Sequence, residues 1–300
     1  MNYRHIFHAG NFADIFKHFI CYLAVDYVLK KDKGAFFLDA FAGVGLYDLK
    51  SSQATRSGES QTGIDKFMAA KFENSDLAAF QATLKKDYQL SLYPGSCLQI
   101  ARMLRPQDCL IANELHPDDA QDLRRLLCPK QRQVDNPVSA GKASVSELDA
   151  YLAIRGALPP VQRRGMVLID PPFEKKNEFD LLVKELANCK KSWPTGCYII
   201  WYPIKDAALV DQFYEDIKRL NFADYMISEI TLTEGGTGIQ VFDAGDGDAP
   251  QNPALAGRTV GLKSCGMMII NTPYQLDTRL SAAHAELERI LHAQITITLP

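Results

Sequence analysis

The sequence predicts an α/β protein built on a Rossmann-like, mainly parallel sheet with helices on both faces. Apolar runs of strand length alternate with amphipathic helical segments along most of the chain, a pattern typical of βαβ units. Turns rich in glycine or proline follow several of these runs, at the strand ends where such sheets bind their ligands. Two late apolar runs near the C-terminus predict an antiparallel strand there.

The first elements follow an N-terminal segment, 1–12, that shows little periodicity. Apolar residues recur near a 3.6-residue spacing across 14–31, so this segment is predicted to be a helix that ends before Gly34. The apolar run 35–40 predicts a short buried strand. The glycine turn 41–45 follows its carboxyl end.

Residues 50–88 differ in character from the alternating pattern. A polar, turn-like stretch leads into two short helical segments, 64–72 and 77–88. Because nothing resembling a linker separates them from the rest, we expect an inserted helical subdomain within one domain, 1–300.

Strands and helices alternate again beyond the insert. Each strand is an apolar or β-branched run, and each helix is an amphipathic segment; Ser96 is a suitable N-cap for the first helix. The stretch 233–263 is rich in Gly, Asp, Pro and Asn and predicts a long surface loop. The predicted strands are 90–93, 109–113, 165–170, 197–202, 225–232, 267–271 and 295–299. The predicted helices are 97–104, 116–127, 144–154, 178–188, 207–220 and 278–293.

Composition excludes several classes of protein. The chain has 300 residues, of which 47% are hydrophobic and 23% charged, as in ordinary globular proteins. A net charge of −3 argues against a basic, sequence-blind nucleic-acid coat. We expect no membrane span and no signal peptide. The seven cysteines form no CxxC pair, so we expect no metal site, no disulfide framework and a cytoplasmic location.

The segment 170–173, Asp-Pro-Pro-Phe, is the most informative motif. It directly follows a predicted strand, and two prolines end a strand abruptly because proline donates no ladder hydrogen bond. Asp170 and the carbonyl of Pro171 can each accept one N–H of an exocyclic amine, while Phe173 can stack on a flat ring. The motif therefore predicts a site for a planar group that bears an NH2, such as adenine.

A second group of residues predicts a cofactor site. Gly43 lies in the turn after the first strand, where a backbone without Cβ atoms can approach a ligand. Glu114 ends a later strand and can accept hydrogen bonds from ribose hydroxyls. The GxGxxG fingerprint is incomplete, since Asp48 occupies its third glycine position, so S-adenosylmethionine, which carries no pyrophosphate, fits better than a nicotinamide dinucleotide.

With these motifs in view, the chain resembles, nearly end to end, the J-type large-subunit (23S) ribosomal RNA adenine-N6 methyltransferases. The segments that carry the resemblance are Tyr3-Arg4-His5, Phe7-His8-Ala9-Gly10-Asn11, Ala13-Asp14, Lys17-His18, Leu38-Asp39, Ala42-Gly43, Tyr93-Pro94-Gly95-Ser96, Glu114-Leu115-His116-Pro117, Leu158-Pro159-Pro160, Arg163-Arg164-Gly165, Leu168-Ile169-Asp170-Pro171-Pro172, Trp201-Tyr202-Pro203 and Ser264-Cys265-Gly266-Met267.

The resemblance implies a class I methyltransferase that transfers a methyl group from S-adenosylmethionine to the N6 amine of an adenine in 23S ribosomal RNA. Asp170 would accept the proton, and Tyr3 with Arg4 would contact the RNA. The tail 1–12 would cover the cofactor. The family's Asp-Gly contact to the cofactor's adenine falls within 139–146, where this chain has Gly141, Lys142, Ala143 and Ser144 instead. The expected cofactor contacts are Lys17, His18, Phe41, Gly43, Ser96, Glu114 and Asp170.

The expected partner is protein-free or early-assembly 23S RNA, and the expected form is a monomer without membrane attachment. Candidate phosphate contacts are Arg4, Lys17, Arg163, Arg164, Lys175 and Lys176. A DNA adenine-N6 methyltransferase would use the same turn, and a non-catalytic RNA-binding relative stays an alternative because Phe41 stands where the family usually has His. A protein-amide methyltransferase would typically have Asn at position 170.

Overall fold

A computed structural model of the protein describes residues 9–51, 54, 58–128, 141–233 and 262–300. Within these ranges the strands are β1 Phe36–Asp39, β2 Leu46–Asp48, β3 Leu92–Pro94, β4 Cys109–Asn113, β5 Lys142–Ser146, β6 Gly165–Ile169, β7 Cys197–Pro203, β8 Tyr225–Leu232, β9 Ser264–Ile270 and β10 Ala293–Thr298. The helices are α1 Phe12–Leu29, α2 Ile64–Ala69, α3 Ser75–Gln89, α4 Ser96–Met103, α5 Pro117–Leu127, α6 Ala150–Ala157, α7 Glu178–Ser192, α8 Ala207–Arg219 and α9 Leu276–Leu291.

Eight of these strands form one sheet in the order β10-β8-β9-β7-β6-β1-β4-β5. The ladders that join the neighbouring strands β5, β4, β1, β6 and β7 are all parallel. The chain runs outward from β1 through β4 to β5 and then returns to the other side of β1 as β6. Because the strand order reverses there, the carboxyl ends of β1 and β6 form the crevice in which open α/β sheets bind ligands. The predicted fold class is confirmed.

Helices cover both faces of the sheet because alternate residues of the central strands are buried on opposite sides. In β1, Phe37 packs with the layer that contains α1, α4, α5 and α9, whereas Phe36 and Leu38 pack with α6, α7 and α8. All four β1 residues are buried, as expected for the centre of a sheet covered on both faces.

Two features of the sheet differ from the prediction. The segment 144–154 was expected to be one helix, but it contains strand β5 and the start of α6. The antiparallel part is also larger than expected, since β8, β9 and β10 all take part in antiparallel ladders. The polar strand β5 lies at the sheet edge, where its exposed positions need no apolar residues.

Between β2 and β3 the described residues form a short 3₁₀ turn, Glu59–Thr62, followed by α2 and α3. Hydrogen bonds connect this part to the rest of the protein. The Arg279 guanidinium of α9 contacts both carboxylate oxygens of Asp76, at 2.9 and 2.7 Å. The Glu286 carboxylate, also on α9, accepts the N–H groups of Glu73 and Asn74 at the start of α3.

Two predicted features lie outside the described residues. They are most of the tail 1–12, of which the structure describes 9–12, and nearly all of the loop 233–263. Among the helices that are described, none is long and apolar enough to cross a membrane.

Candidate active site

Asp170 lies where the sequence motif predicted it, immediately after the carboxyl end of β6. Its side chain is only 16% exposed. Pro171 is buried, and Phe173 adopts a φ of 50°, which is uncommon for a bulky residue. Among the described residues no hydrogen-bond donor contacts Asp170 Oδ1 or the Pro171 carbonyl, so both atoms retain lone pairs for a ligand.

A buried ion pair connects α1 to this loop. Lys17 Nζ lies 2.6 Å from Asp170 Oδ2 and 2.9 Å from Asp14 Oδ1, and the Lys17 side chain is only 5% exposed. Burial alone would lower the pKa of Lys17, but the two carboxylates outweigh it and hold that pKa well above its usual range. Lys17 is therefore a fixed cation that neutralises part of the charge beside Asp170.

This pair is a finding that the sequence did not predict. Lys17 was expected to contact the cofactor, and its pairing with Asp14 fits their spacing on one helical face. Its contact with Asp170 spans 153 residues and has no local sequence signal. The ammonium leaves Oδ1 as the Asp170 oxygen available to a substrate.

Asp39 is a second carboxylate in the crevice, at the carboxyl end of β1. It is completely buried; Ser96 Oγ donates to its Oδ2 at 2.5 Å and the Phe41 N–H donates to its Oδ1 at 3.3 Å. Burial raises the pKa of Asp39 to about 6, and the nearby charge of Asp170 contributes to that rise. Ser96 was expected to cap α4, but the N-cap is Gly95 and the Ser96 side chain holds Asp39 instead.

The glycine turn after β1 is held by Glu114. Its Oε2 accepts the Gly43 N–H at 3.0 Å and its Oε1 accepts the His116 N–H at 2.8 Å. Burial raises the pKa of Glu114 above its ordinary value, although these N–H groups oppose the rise. Gly43 has a φ of 61°, and a Cβ there would come 2.2 Å from the Tyr47 hydroxyl, so the turn requires glycine at this position.

His18 faces the same crevice from α1. Its Nδ1 lies 2.6 Å from the Tyr93 hydroxyl and 3.0 Å from Gln99 Nε2. Because Gln99 Nε2 is a donor, these contacts favour the tautomer in which Nδ1 accepts. A cavity of about 100 Å³ begins at His18 and Ser96 and extends between α1, α3 and α4 towards Val25 and Met103.

Aromatic rings position Phe173. Its ring centroid lies 5.0 Å from that of Phe179 and 6.0 Å from that of Trp201, with interplanar angles of 61° and 71°. These tilted contacts pack the edges and faces of the rings together without parallel stacking. Phe41 is also half-buried and packs edge-on against Tyr151 at 6.3 Å, which connects the glycine turn to α6.

The charges of the crevice decide which cofactor suits it. Four carboxylates converge there, from Asp14, Asp39, Glu114 and Asp170, and among the described residues Lys17 is the cation paired with two of them. Such a net negative site repels a pyrophosphate and attracts a cation. The residues present therefore fit a sulfonium cofactor better than a dinucleotide.

Some predicted contacts are not among the residues that the structure describes at this site. Tyr3 and Arg4 lie outside the described residues. Arg164 precedes β6 and so lies at the amino ends of the parallel strands, away from Asp170. Its guanidinium donates there to the carbonyls of Lys33 and Val28. Arg163 lies beside it, so the expectation that this pair contacts phosphates next to Asp170 is wrong.

The segment 139–146, where the family has its adenine contact, is described from Gly141 onward. Residues 142–146 form the edge strand β5, whose last residue, Ser146, lies at the carboxyl edge, where its carbonyl accepts the Glu114 N–H at 3.1 Å. Asp149 lies there as the N-cap of α6, where its Oδ1 accepts the N–H groups of Tyr151 and Leu152. Since the sequence had suggested a helix across 144–154, this acidic residue at the ligand-binding edge was missed.

Comparisons with known proteins find relatives along nearly the whole chain. Residues 32–236 match the model of a family described as RsmJ: Ribosomal RNA large subunit methyltransferase D, RlmJ. Two curated relatives are both named Ribosomal RNA large subunit methyltransferase J. The chain is 34% identical to the one from Escherichia coli over 94% of its length and 90% of that protein. It is 32% identical to the one from Haemophilus influenzae over 93% of its length and 90% of that protein.

A solved structure has the same fold along nearly the whole chain. It is the crystal structure of protein LPL1258 from Legionella pneumophila, which is 27% identical in sequence. The alignment covers 97% of this chain and 98% of that one, with a TM-score of 0.78. The similarity includes the mixed sheet and the helices around it.

Proposed function

The chain belongs to the RlmJ family of ribosomal RNA large subunit methyltransferases, and from this premise we propose that it methylates the N6 amine of an adenine in 23S ribosomal RNA, with S-adenosylmethionine as the methyl donor. The observation that carries the proposal is the pair of open acceptors, Asp170 Oδ1 and the Pro171 carbonyl, at the point where the strand order reverses. Two acceptors beside an aromatic ring suit an aminopurine.

Asp170 and Pro171 would orient the amine. The lone pair of an adenine N6 is delocalised into the ring, which makes that nitrogen a poor nucleophile. Accepting both of its N–H bonds favours a pyramidal nitrogen whose lone pair points at the methyl carbon. Holding two reactants in this orientation can contribute about 7–11 kcal/mol to the lowering of the barrier.

Proton transfer completes the proposed reaction. The bound cofactor would supply the methyl group and leave as a neutral thioether, so N6 would gain the methyl group and the positive charge. Asp170 Oδ1 then takes a proton from that nitrogen. Lys17, paired with Oδ2, keeps the carboxylate oriented throughout. Phe173 would stack on the base once it has left its own stack.

The chain's own residues would hold the cofactor along the crevice. S-adenosylmethionine, when bound, supplies a methyl group on a positively charged sulfur. Asp39 and Asp170 would attract that charge, and Glu114 retains lone pairs for ribose hydroxyls. The start of α4 at Ser96, with His18 nearby, suits a carboxylate because helix N-termini favour anions.

The proposal includes a monomer that acts in the cytoplasm on protein-free or early-assembly RNA. Its direct test is incubation with tritiated S-adenosylmethionine and, in parallel, protein-free 23S RNA, intact large subunits and DNA, followed by mass spectrometry of the nucleosides. We expect N6-methyladenosine in the protein-free RNA. Label in DNA would favour a DNA methyltransferase, and failure to bind the cofactor would favour a non-catalytic relative.

A further inference from the structure

Two lysines that the proposed reaction does not use lie at the same edge of the sheet as Asp170. Lys205 follows the carboxyl end of β7, and Lys263 immediately precedes β9. Both side chains are exposed. We propose that Lys205 and Lys263 form a phosphate-binding pair that holds the RNA strand next to the target base. This inference rests on the proposed function and adds to it the path of the RNA.

The strand register brings the two lysines together. β7 and β9 are antiparallel, with Pro203 opposite Cys265, and the Ile204 N–H donates to the Ser264 carbonyl at 2.9 Å. The next residue beyond β7 is Lys205, and the next residue on the β9 side is Lys263. Lys205 lies two residues beyond the last ladder pair, Pro203 with Cys265, on the β7 side, and Lys263 lies two residues beyond it on the β9 side, so the two like charges lie near each other and repel.

Backbone contacts fix this arrangement. The Leu232 N–H at the end of β8 donates to the Lys263 carbonyl at 2.8 Å. β9 is therefore bonded on both sides at this point, to β7 and to β8. The ladders hold the two lysine backbones close together, so an anion that binds between the two flexible side chains would lower the repulsion between their ammonium groups.

Acidic neighbours do not neutralise the pair within the described part of the chain. Neither lysine forms an ion pair with a described residue. Asp206 is adjacent in sequence, and its carboxylate caps α8 by accepting the Ala208 N–H without forming an ion pair with Lys205. The arrangement differs from Arg124, whose guanidinium contacts Glu147 at 2.9 Å. The positive charge of the pair is thus available to a ligand.

The pair lies a short way from the reacting carboxylate. Cys265 is close enough to Asp170 and Lys17 for both charges to act on its pKa, which burial raises to about 12. Lys263 is two residues from Cys265 along the same chain, a step of about 7 Å at strand spacing. A strand of RNA whose base occupies the Asp170 site would therefore bring a neighbouring phosphate to the lysines.

Phosphate is the anion that this arrangement fits. Two ammonium groups on flexible stems form point-charge contacts, which suit a backbone that varies in conformation rather than a rigid carboxylate. Lys175 and Lys176, exposed on the loop after Asp170, lie at the same edge and could continue the track. Such contacts position the RNA and carry no sequence information.

The salt dependence of RNA binding tests this inference. We would measure the affinity of protein-free 23S RNA for the wild type and for the double variant Lys205→Ala/Lys263→Ala across a range of salt concentrations. Each lost phosphate contact should reduce the slope of log affinity against log salt by about one, so the double variant should lose about two. Lys205→Arg/Lys263→Arg should keep the wild-type slope.

A matched control uses two exposed lysines at the opposite edge of the sheet, Lys31 and Lys33; their double alanine variant should keep the slope. All variants should bind S-adenosylmethionine as the wild type does, which checks folding. An unchanged slope in Lys205→Ala/Lys263→Ala would overturn the proposal. So would a loss of activity seen only on intact subunits, which would indicate an acidic protein partner.

Failure of the inference is distinguishable from failure of the proposed function. A wild type that binds RNA but transfers no methyl group contradicts the function, while its salt slope still tests the lysine pair. A wild type that methylates RNA, together with a double variant of unchanged slope, contradicts the pair alone.

Discussion

The carboxyl group of Asp39 has no contact with solvent and lies near the charges of Asp170 and Lys17. Burial disfavours its ionised form, so its pKa rises to about 6 from an ordinary value near 3.8. Between these two values the folded protein keeps a proton on Asp39 that the unfolded chain has released. Because the folded state binds more protons there, stability should fall as pH rises through this window.

Replacing Asp39 with Asn should remove this pH dependence. The free energy of unfolding of the wild type, taken relative to Asp39→Asn, should decline by up to about 3 kcal/mol between pH 4 and pH 6, since one pKa unit is worth about 1.4 kcal/mol. Urea unfolding of both proteins at several pH values measures this difference. Parallel curves for the two proteins would show that Asp39 ionises normally.

Phe173 contributes the aromatic face of the proposed base site. Since the stacking of a base on an aromatic side chain is worth about 1–3 kcal/mol, Phe173→Leu should raise the KM for RNA about 5- to 150-fold. Phe173→Tyr keeps the ring and should behave like the wild type. Steady-state kinetics with 23S RNA measure both. A wild-type KM in Phe173→Leu would exclude stacking at this position.

Sequence reasoning found the residues whose roles depend on local chemistry. Asp170, Pro171 and Phe173 were predicted because two prolines after an apolar run fix the end of a strand. The contact of Lys17 with Asp170 and that of Ser96 with Asp39 were not found, because their partners are far apart in the chain. Contacts of this kind follow from the packing of α1 and α4 on the sheet.

At the scale of elements, we propose that residues 50–88 form an inserted helical subdomain, anchored through Arg279. Its guanidinium bonds Asp76 of α3 with two nitrogens and Asp26 of α1 with a third, at 2.8 Å. These three side chains are less exposed than those of a surface ion pair such as Arg125 with Asp122. The network joins α9, α3 and α1.

Arg279→Met should lower the free energy of unfolding by about 2 kcal/mol, because it removes charge-assisted hydrogen bonds and leaves Asp76 without its ion-pair partner, while Asp26 keeps Lys30 at 3.7 Å. Arg125→Met removes an exposed ion pair with Asp122, which lies one turn away on the same helix. This variant should lower the free energy of unfolding by less than about 0.5 kcal/mol. Chemical denaturation of both variants measures the difference. Equal losses would mean that the Arg279 network does not anchor the insert.

Element prediction succeeded where burial imposes a pattern and failed at the sheet edge. The helices and the central strands have apolar periodicity because they pack into a core. In β5, Lys142 and Ser144 are exposed, so an edge strand in this position carries little apolar signal. Only three residues separate the end of β5 from the start of α6, which explains why 144–154 looked helical throughout.

At the scale of the whole molecule, the protein keeps its seven cysteines as free thiols. Five are buried, Cys109 is half-buried and Cys128 is exposed. Burial raises the pKa of both Cys109 and Cys128 above the ordinary thiol value, which slows their reaction because the thiolate is the nucleophile.

A thiol reagent should therefore label Cys128 first and Cys109 more slowly in the native protein, and the other five only after unfolding. Absorbance of the released chromophore counts the thiols, and mass spectrometry identifies them. Rapid labelling of any buried cysteine would contradict the packing. Fewer than seven reactive thiols after unfolding without reductant would reveal a disulfide.

The global fold was predictable, but the strand order was not. Alternating strands and helices determine a mainly parallel sheet, whereas the position of β9 between β7 and β8 depends on long-range packing. That position is what brings Lys263 to the site, which is why the proposed phosphate pair could not be read from the sequence. The path of the RNA is a property of the assembled sheet.

The measurement that tests the account most directly is methyl transfer by Asp170→Asn, made alongside its affinity for S-adenosylmethionine. Asparagine has the same shape but cannot take a proton, and Asp14 still pairs with Lys17. We expect the rate of transfer to 23S RNA to fall at least about 100-fold, with cofactor affinity changed less than about tenfold. A variant that binds the cofactor and transfers methyl groups at the wild-type rate would contradict the assignment of Asp170.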